Sequence, residues 1–258
     1  MIKLLISGCC GAMGRVVAAS AAKRPGFQVA AGLDRTRDNS LGFPVFRPGE
    51  KITEDFDIVV DFSHPANLVT VLTVAEKAGK PVVIATTGFA EDQLSLIHHV
   101  ARRMPIFFSA NMALGISLMK ELCTKAAKVL GDGFEVEIVE KHHDQKVDAP
   151  SGTAIMLASA VADGLSYAPQ YVYDRHSRRT KRDPHEIGMH SIRGGTIVGE
   201  HEVIFAGRDE IITLSHGAFS KEVFATGALT AARFLASGKA PGLYTMSDLI
   251  SAATSDED

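Results

Sequence analysis

Residues 140–154 bring together side chains that could exchange a proton and hold an anion. His142 and His143 are adjacent imidazoles, and Lys146 supplies an ammonium group shortly after them. An unperturbed histidine has a pKa of about 6.5 and exchanges its proton near neutral pH, whereas a lysine with a pKa of about 10.4 stays cationic. The pattern therefore indicates an acid/base group beside a cation that holds a negatively charged substrate.

The same stretch ends in a predicted helix start. Ser151, Gly152 and Thr153 precede the apolar run 154–158, which predicts a helix with Ser151 as its cap. A helix start has unpaired N–H groups and a partial positive charge, which suit a carboxylate or a phosphate. A histidine pair alone fits a strand end or a surface, and Asp-Ala-Pro-Ser-Gly alone fits an ordinary turn from a loop into a helix. Their combination favours a reaction centre.

The two imidazoles also constrain the backbone. In a strand that continued through His143, His142 and His143 would point to opposite faces. Both can reach one substrate only if the strand ends or kinks there.

A glycine-containing loop lies near the N terminus. The pattern predicts a strand at 2–6, a loop at 8–14, a helix at 15–23 and a second strand at 28–33 that ends at Asp34 and Arg35. This order is typical of a dinucleotide-binding βαβ unit, in which glycines let the backbone approach a pyrophosphate. Asp34 would accept a hydrogen bond from the adenosine ribose, and Arg35 could pair with the 2'-phosphate of NADP, so the choice of cofactor stays open.

Cys9 and Cys10 within this loop have two interpretations. A thiol near a helix start has a lowered pKa and could be a nucleophile. We favour packing, because a bound cofactor would cover both side chains.

The rest of the first half alternates strands and helices. Strands are predicted at 57–62, 81–85 and 105–109, with helices at 66–78 and 90–103, which indicates a doubly wound parallel sheet. Ligands bind such sheets at the carboxyl ends of the strands, where Thr86 and Asn111 fall. The remaining histidines of this half are assigned to a cap turn and a helix rather than to a metal site: His64, His98 and His99.

The second half changes character. After a helix at 113–130 that carries Cys123 in its core, strands are predicted at 134–138, 187–192, 196–205 and 210–215 without intervening helices. Such a run predicts a mixed or antiparallel sheet in a second domain. An Ala-rich helix follows at 221–237, and the polar tail 254–258 is expected to fray.

A basic loop at 173–185 precedes these later strands. Its cations are Arg175, Arg178, Arg179, Lys181 and Arg182. Basic clusters can bind phosphates or nucleic acid. We favour a solvated, mobile loop, because aromatic residues that would stack on bases are not interleaved with the cations. The loop could also cover the site.

Composition restricts the class of protein. The 258 residues are 46% apolar and 22% charged, with a net charge of -3, so a polyanionic partner is not indicated. Three cysteines do not form a disulfide framework, which suits a reducing cytosol. The apolar run at the start is too short for a signal peptide or a membrane span. We expect a cytoplasmic protein without a membrane or nucleic-acid partner.

Residues 137–154, Glu-Ile-Val-Glu-Lys-His-His-Asp-Gln-Lys-Val-Asp-Ala-Pro-Ser-Gly-Thr-Ala, resemble the motif of the dihydrodipicolinate reductase family of bacterial lysine and diaminopimelate synthesis. The similarity extends over nearly the whole chain, including 8–14, 86–89 and 110–112. The chain departs from the common family pattern at four positions without losing a catalytic group: Ala85, Ala113, Ser117 and Lys221.

This resemblance implies the roles of individual residues. His142 is similar to the general acid/base, while His143 and Lys146 are similar to substrate-binding groups, with Lys146 also a possible proton donor. Ser151, Gly152 and Thr153 resemble the helix start that binds a carboxylate. Cofactor contacts are implied for Gly8, Cys9, Cys10, Gly11, Ala12, Met13, Asp34, Arg35, Ala85, Thr86, Thr87, Ser109, Ala110, Asn111 and Met112. A metal is not expected.

The resemblance also implies the organisation of the molecule. Residues 1–112 and 222–258 would bind NADH, NADPH or both, and residues 113–221 would bind a small cyclic imine dicarboxylate and assemble a homotetramer. Hydride would pass from the nicotinamide to C4 of the substrate, with domain closure excluding water.

Two alternatives remain open from the residues alone. A semialdehyde dehydrogenase would need a thiolate nucleophile, and Cys123 lies in mid-helix without a histidine nearby in the sequence. A non-catalytic sensor that binds NAD(P)H is the second alternative. Oxidation of the dinucleotide that depends on the dicarboxylate substrate distinguishes all three.

Overall fold

The structure is a computed structural model that describes residues 1–255, and it divides into two compact units. The first unit combines Met1–Leu114 with the chain from Lys221 onward, and the second unit is Gly115–Ser220. The strands are β1 (Ile2–Ser7), β2 (Phe27–Leu33), β3 (Val45–Phe46), β4 (Ile58–Asp61), β5 (Val82–Ile84), β6 (Pro105–Phe108), β7 (Glu135–His142), β8 (Gln170–Val172), β9 (Glu186–Arg193), β10 (Gly199–Ala206), β11 (Ile211–Ala218) and β12 (Gly242–Tyr244). The helices are α1 (Ala12–Ala22), α2 (Leu68–Ala78), α3 (Glu91–Ala101), α4 (Leu114–Leu130), α5 (Gly152–Ala162), α6 (Glu222–Ala236) and α7 (Met246–Ser255).

The first unit is built on a seven-stranded sheet in the order β12-β6-β5-β4-β1-β2-β3. All of its paired strands are parallel. Its central strands are continuous apolar runs, with Leu4, Leu5 and Val59 fully buried, because both faces of the sheet are covered. Helices α1, α6 and α7 pack on one face, and helices α2 and α3 pack on the other. The predicted Rossmann-like doubly wound sheet is confirmed.

The second unit contains a five-stranded mixed sheet in the order β11-β10-β7-β9-β8. Strands β7, β8 and β9 run parallel, whereas β10 pairs antiparallel with both β7 and β11. Burial alternates along β10, as expected for a sheet with one covered face. The predicted mixed sheet is confirmed, and α4 and α5 are joined by a hydrogen bond of 2.8 Å from the Thr124 hydroxyl to the Ala160 carbonyl.

Some short elements were not predicted from the sequence. Strands β3, β8 and β12 span only two or three residues, which is too short for a periodic pattern. Thr254 and Ser255, predicted to fray, belong to α7, where the Thr254 hydroxyl donates to the Ile250 carbonyl at 3.3 Å. The rest of the predicted frayed tail, 256–258, lies outside the described residues.

The basic loop at 173–185 is attached to the second sheet by two of its arginines. Arg175 pairs with Glu186 and, at 2.6 Å, with Glu137. Arg182 donates from Nε to Glu137 at 3.0 Å, and its side chain is only 15% exposed. The expectation of a fully solvated cluster is therefore wrong for these two cations.

Within the described part of the chain, the helices are all too short or too polar to cross a lipid bilayer.

Candidate active site

The glycine loop of the first unit requires glycine at two positions, Gly8 and Gly14. Gly8 has a φ of +77°, and a β-carbon there would lie 2.6 Å from the Phe62 carbonyl oxygen. At Gly14 a β-carbon would overlap the Gly8 carbonyl oxygen and lie 2.7 Å from the Cys9 α-carbon. The loop therefore turns sharply and starts α1 close to the end of β1, which is the arrangement that admits a pyrophosphate.

Two adjoining clefts lie at the carboxyl ends of the strands. A cleft of about 520 Å³ gathers five of the residues predicted to contact the cofactor: Gly8, Cys10, Gly11, Asp34 and Arg35. A neighbouring cleft of about 480 Å³ gathers four more: Met13, Ala85, Thr86 and Thr87. Both clefts are also lined by Phe62, Ser63 and His64, which were not predicted from the sequence to contact the cofactor. His64 does cap a turn as predicted, accepting from Ala66 N–H at 3.1 Å.

The carboxylate of Asp34 is fixed at the end of β2. It accepts from Cys10 N–H at 3.0 Å and from Thr36 N–H at 3.2 Å. The adjacent Arg35 is exposed at the cleft. An acceptor beside a cation fits an adenosine ribose with or without a 2'-phosphate.

Asp61 is a buried carboxylate beneath the clefts that was not recognised from the sequence. It is 1% exposed, and burial raises its pKa. It accepts from the Ser63 and Thr86 hydroxyls at 2.6 Å each, and Thr86 in turn accepts from Ser63 N–H at 2.9 Å. Asp61 thereby ties the end of β4 to the end of β5 under the floor of the site.

The other residues predicted to contact the cofactor lie outside these two linings. Cys9 is fully buried, Ala12 is the first residue of α1, and the last four follow β6: Ser109, Ala110, Asn111 and Met112. The Ser109 hydroxyl donates to the Asn111 carbonyl at 2.6 Å, which shapes this turn. Their contact with a cofactor stays a prediction.

None of the three cysteines has the environment of a thiolate nucleophile. Burial raises the pKa of Cys9 and of Cys123 to about 12, and it also raises the pKa of Cys10. Cys9, Cys10 and Asp34 form a group whose potential ligand atoms lie within 4.8 Å of one another. The expected absence of a metal stays a prediction.

In the second unit, β7 ends at His142 and the chain then turns. Because β7 ends here, His142 and His143 need not point to opposite faces of the sheet, which is what one site for both imidazoles requires. Glu140 lies on the covered face of β7, and one of its carboxylate oxygens is hydrogen-bonded to the Nδ1 of His142 at 2.6 Å. The His142 side chain is 12% exposed.

The helix start forms as predicted. Ser151 is the N-cap of α5, and its hydroxyl oxygen accepts from Ala154 N–H at 3.2 Å. Gly152 is exposed, and the space that a side chain would take there is open. This geometry leaves room for a carboxylate against the first turn of α5.

Lys146 lies in the loop between β7 and α5. Its backbone N–H donates to the His143 carbonyl at 3.2 Å, and its ammonium lies 2.7 Å from Asp148. The Lys146 ammonium lowers the pKa of Asp148. Asp148 was not recognised from the sequence, because a lone aspartate in a polar loop carries no periodic signal.

Arg193 at the end of β9 joins these groups. It pairs with both oxygens of Glu140, at 2.7 and 2.8 Å, and donates to the Asp148 carbonyl at 2.6 Å. Glu140 also accepts from Ser151 N–H at 3.1 Å. A continuous set of polar contacts therefore connects His142, the loop of Lys146 and the start of α5.

His201 on β10 supports the cap from the other side. It is 4% exposed, its Nε2 lies 3.0 Å from the Ser151 hydroxyl, and its ring meets the His142 ring edge to face with centroids 5.2 Å apart. Burial, followed by the neighbouring His142, lowers the pKa of His201 to about 4. His201 is therefore neutral at pH 7.

Comparison with known proteins covers both units. The family model for the N-terminus of dihydrodipicolinate reductase matches residues 2–112, and that for its C-terminus matches residues 115–250.

Individual relatives match over nearly their full length. A 4-hydroxy-tetrahydrodipicolinate reductase of Caldanaerobacter subterraneus subsp. tengcongensis is 51% identical over 250 residues, covering 97% of this chain and 98% of the relative. One of Clostridium botulinum is 46% identical over 250 residues with the same coverage. A solved structure of a dipicolinate-bound dihydrodipicolinate reductase from Paenisporosarcina sp. TG-14 is similar with a TM-score of 0.77 and 25% identity, covering 95% of this chain and 97% of that one.

Proposed function

The chain belongs to the dihydrodipicolinate reductase family, and we propose on that premise that it reduces 4-hydroxy-tetrahydrodipicolinate with hydride from NADH or NADPH. It is an oxidoreductase of lysine and diaminopimelate biosynthesis. Each unit contributes its own residues to this activity.

The proposal places the dinucleotide on the first unit. Along the strand ends, Asp34 after β2, the glycine loop after β1 and the cleft of Thr86 after β5 suit a ribose, a pyrophosphate and a nicotinamide in that order. A bound reduced nicotinamide supplies the hydride. Asp34 favours the ribose hydroxyl of NADH, whereas Arg35 favours the 2'-phosphate of NADPH, and the presence of both supports use of either dinucleotide.

The substrate belongs to the second unit in this proposal. The Paenisporosarcina structure is of a dipicolinate-bound enzyme, and dipicolinate is a cyclic dicarboxylate. Lys146 and the first turn of α5 supply two separate anion-binding positions, one for each carboxylate. Holding both carboxylates fixes the ring in one orientation, which supplies the positional part of catalysis.

The proton comes from His142. The 4-hydroxyl group leaves as water and gives a conjugated ring. Hydride then reaches C4, a proton must be added at the neighbouring carbon, and an imidazole can carry that proton. His143 follows at the strand end as a second substrate-binding group, and Lys146 is the alternative proton donor. General acid catalysis of this kind is worth roughly 10² to 10⁴-fold in rate.

A single observation supports this assignment most strongly. Glu140 and Arg193 together connect His142, the Lys146 loop and the helix start through contacts of 2.6 to 3.1 Å. These are the groups that the family resemblance assigns to proton transfer and to carboxylate binding. A semialdehyde dehydrogenase is disfavoured, because the raised pKa of all three cysteine thiols does not suit a nucleophile.

The proposal extends to the assembly. The chain 1–112 with 222–258 would serve as the dinucleotide-binding domain, and 113–221 would bind substrate and form a homotetramer, as the family resemblance implies. Sedimentation of the purified chain measures this, and a monomer would contradict it.

The reaction itself is tested with purified protein and either NADH or NADPH. We expect dinucleotide oxidation only when freshly generated 4-hydroxy-tetrahydrodipicolinate is present. Oxidation that requires an acyl phosphate and releases phosphate and a semialdehyde would identify the rival dehydrogenase. Dinucleotide binding without any turnover would identify a sensor.

A further inference from the structure

Glu140 is a carboxylate at a position where β7 otherwise carries core side chains. The covered face of the strand presents Val136, Ile138 and Glu140, which are 2%, 0% and 1% exposed. A buried charge is unfavourable unless it is paired and hydrogen-bonded. The burial of a carboxylate at this position therefore indicates a role other than packing the core.

The contacts of Glu140 satisfy that charge. Its oxygens accept from Arg193 at 2.7 and 2.8 Å, from His142 at 2.6 Å and from Ser151 N–H at 3.1 Å. Burial alone would raise the pKa of this carboxyl, but hydrogen bonds from Arg193, His142, Ser191 and Ser151 outweigh it and lower the pKa to about 2. Glu140 is thus an anion at neutral pH.

An anionic carboxylate has consequences for the imidazole beside it. Because a carboxylate only accepts hydrogen bonds, the Nδ1 of His142 must carry the hydrogen in this contact. The neutral imidazole then has its lone pair at Nε2, and the protonated imidazole has its transferable hydrogen there. Nε2 lies beside β10, 3.1 Å from the position that a β-carbon on Gly199 would take.

The other carboxylate oxygen of Glu140 contacts the helix start that is proposed to bind the substrate. By accepting from Ser151 N–H, it fixes the N-cap of α5 to the strand that carries His142. Arg193 lies opposite His142 in the register of β7 and β9, and it also holds the Asp148 carbonyl in the Lys146 loop. One carboxylate and one guanidinium therefore set the spacing between the proton donor and both anion-binding positions.

We propose that Glu140, with Arg193 as its counter-ion, is a positioning residue that selects the His142 tautomer and aligns the start of α5 with it. This inference rests on the proposed function, because His142 matters as a proton donor only in that reaction. Glu140 itself does not touch the substrate.

The first test is independent of turnover. Nitrogen-15 NMR of the histidine side chains, assigned by comparison with His142→Gln, reports which ring nitrogen is protonated. We expect hydrogen on Nδ1 and a bare Nε2 in the neutral imidazole of the wild-type chain. Hydrogen on Nε2 in the resting protein would overturn the proposal, whatever the variants do.

The second test uses Glu140→Gln, which keeps the shape and removes the charge. We expect kcat to fall about 10²-fold, with a smaller change in KM, as for loss of a carboxylate that orients a catalytic histidine. The variant also loses the negative charge 2.6 Å from the His142 ring, which in the wild type favours the protonated imidazole. Activity needs protonated His142, so the alkaline limb of the kcat profile should shift to lower pH.

Two further variants separate positioning from folding. Glu140→Asp keeps the charge and should recover part of kcat and return the pH profile towards that of the wild type. Glu135→Gln changes a carboxylate that is 51% exposed on the same strand and should leave both unchanged. Unchanged dinucleotide affinity in Glu140→Gln shows that the first unit is folded, and an unchanged far-UV circular dichroism spectrum shows that the second unit keeps its strands and helices.

The outcomes also separate this inference from the proposed function. A wild-type chain that does not turn over the substrate would refute the function and leave the tautomer measurement standing. An active wild type whose Glu140→Gln variant keeps full kcat and an unshifted pH profile would refute only the role of Glu140.

Discussion

At the scale of single residues, the side chains that carry chemistry are held by neighbours that do none. His142 depends on Glu140, Lys146 lies against Asp148, and the cap Ser151 lies against His201. Each of these pairs lies within the second unit at 2.6 to 3.0 Å, and among the described residues the buried Nδ1 of His201 has no hydrogen-bond partner. This arrangement fixes each group before a substrate arrives, which lowers the cost of orienting it later.

In the proposed function, Asp148 would compete with a substrate carboxylate for the Lys146 ammonium, which lies 2.7 Å from it. In Asp148→Asn the ammonium loses this partner and the site loses one negative charge, so we expect the KM for the dicarboxylate to fall about two- to fivefold. Asp144→Asn is the matched control, because Asp144 is an exposed neighbour whose carboxylate accepts from Gln145 at 3.2 Å. Steady-state kinetics of both variants measure the effect. An equal change in the two, or a higher KM in Asp148→Asn, would contradict this interpretation of the pair.

His201 makes the fold sensitive to acid. Its pKa is about 4 in the folded chain against about 6.5 when unfolded, so the unfolded state binds one more proton between these values. The contribution of His201 to the free energy of unfolding is therefore fully present above pH about 6.5. It is lost as the pH falls towards 4, by on the order of 3 kcal/mol. His201→Gln should show a shallower pH dependence of the unfolding free energy in that window. Parallel curves from urea unfolding of the two proteins would refute it.

The sequence identifies residues with reactive groups more readily than those that support them. His142, Lys146 and Ser151 stand in a short motif, and their types alone indicate a proton, a cation and a cap. Glu140 and Asp61 could not be recognised in this way, because a carboxylate in a strand usually faces water. Only the pairing with Arg193, or with two hydroxyls, distinguishes the buried case.

At the scale of elements, both sites lie where a strand gives way to a helix. The loop after β1 turns into α1, and the loop after β7 leads to α5. A sharp turn starts α1 close to the end of β1, and the N-cap of α5 is hydrogen-bonded to Glu140 near the end of β7. In the proposed function, the N–H groups and dipoles of these two helix starts would face the dinucleotide and the substrate.

The close approach at Gly14 makes a direct test of the helix start in the first unit. A methyl group in Gly14→Ala would overlap the Gly8 carbonyl oxygen, so the loop must open. We expect a loss of about 1 to 3 kcal/mol in the unfolding free energy and a large loss of dinucleotide affinity. Gly133→Ala is the control, because its β-carbon meets nothing within 4 Å. Calorimetric titration with NADH and NADPH measures the affinity, and unchanged binding in Gly14→Ala would contradict this role for the loop.

The sequence predicts long elements well and short ones poorly. The periodic apolar faces of α4 and α6 place these helices to within a residue or so. Strands β3, β8 and β12 are not predicted, because two or three residues cannot display a period. They form by pairing with neighbouring strands of the sheet. Helix α7 is not predicted either, because the polar residues at its end indicate a frayed tail rather than a helix.

At the scale of the whole molecule, two units of different architecture share one chain. The first unit is completed by the chain from Lys221 onward, where α6 and α7 add their apolar faces to the core formed by β1, β4 and α1. The switch from alternating strands and helices to successive strands predicts this division from sequence. The return of the chain to the first unit was implied only by the family resemblance, because an amphipathic helix does not identify the sheet on which it packs.

The central claim is that the second unit carries the proton donor of a reductase whose dinucleotide is held by the first. The turnover of His142→Ala with NADPH or NADH and 4-hydroxy-tetrahydrodipicolinate tests it most directly, with dinucleotide affinity measured in parallel. We predict that kcat falls by roughly 10² to 10⁴-fold while dinucleotide affinity stays at the wild-type value. A variant that keeps the wild-type kcat would contradict the claim.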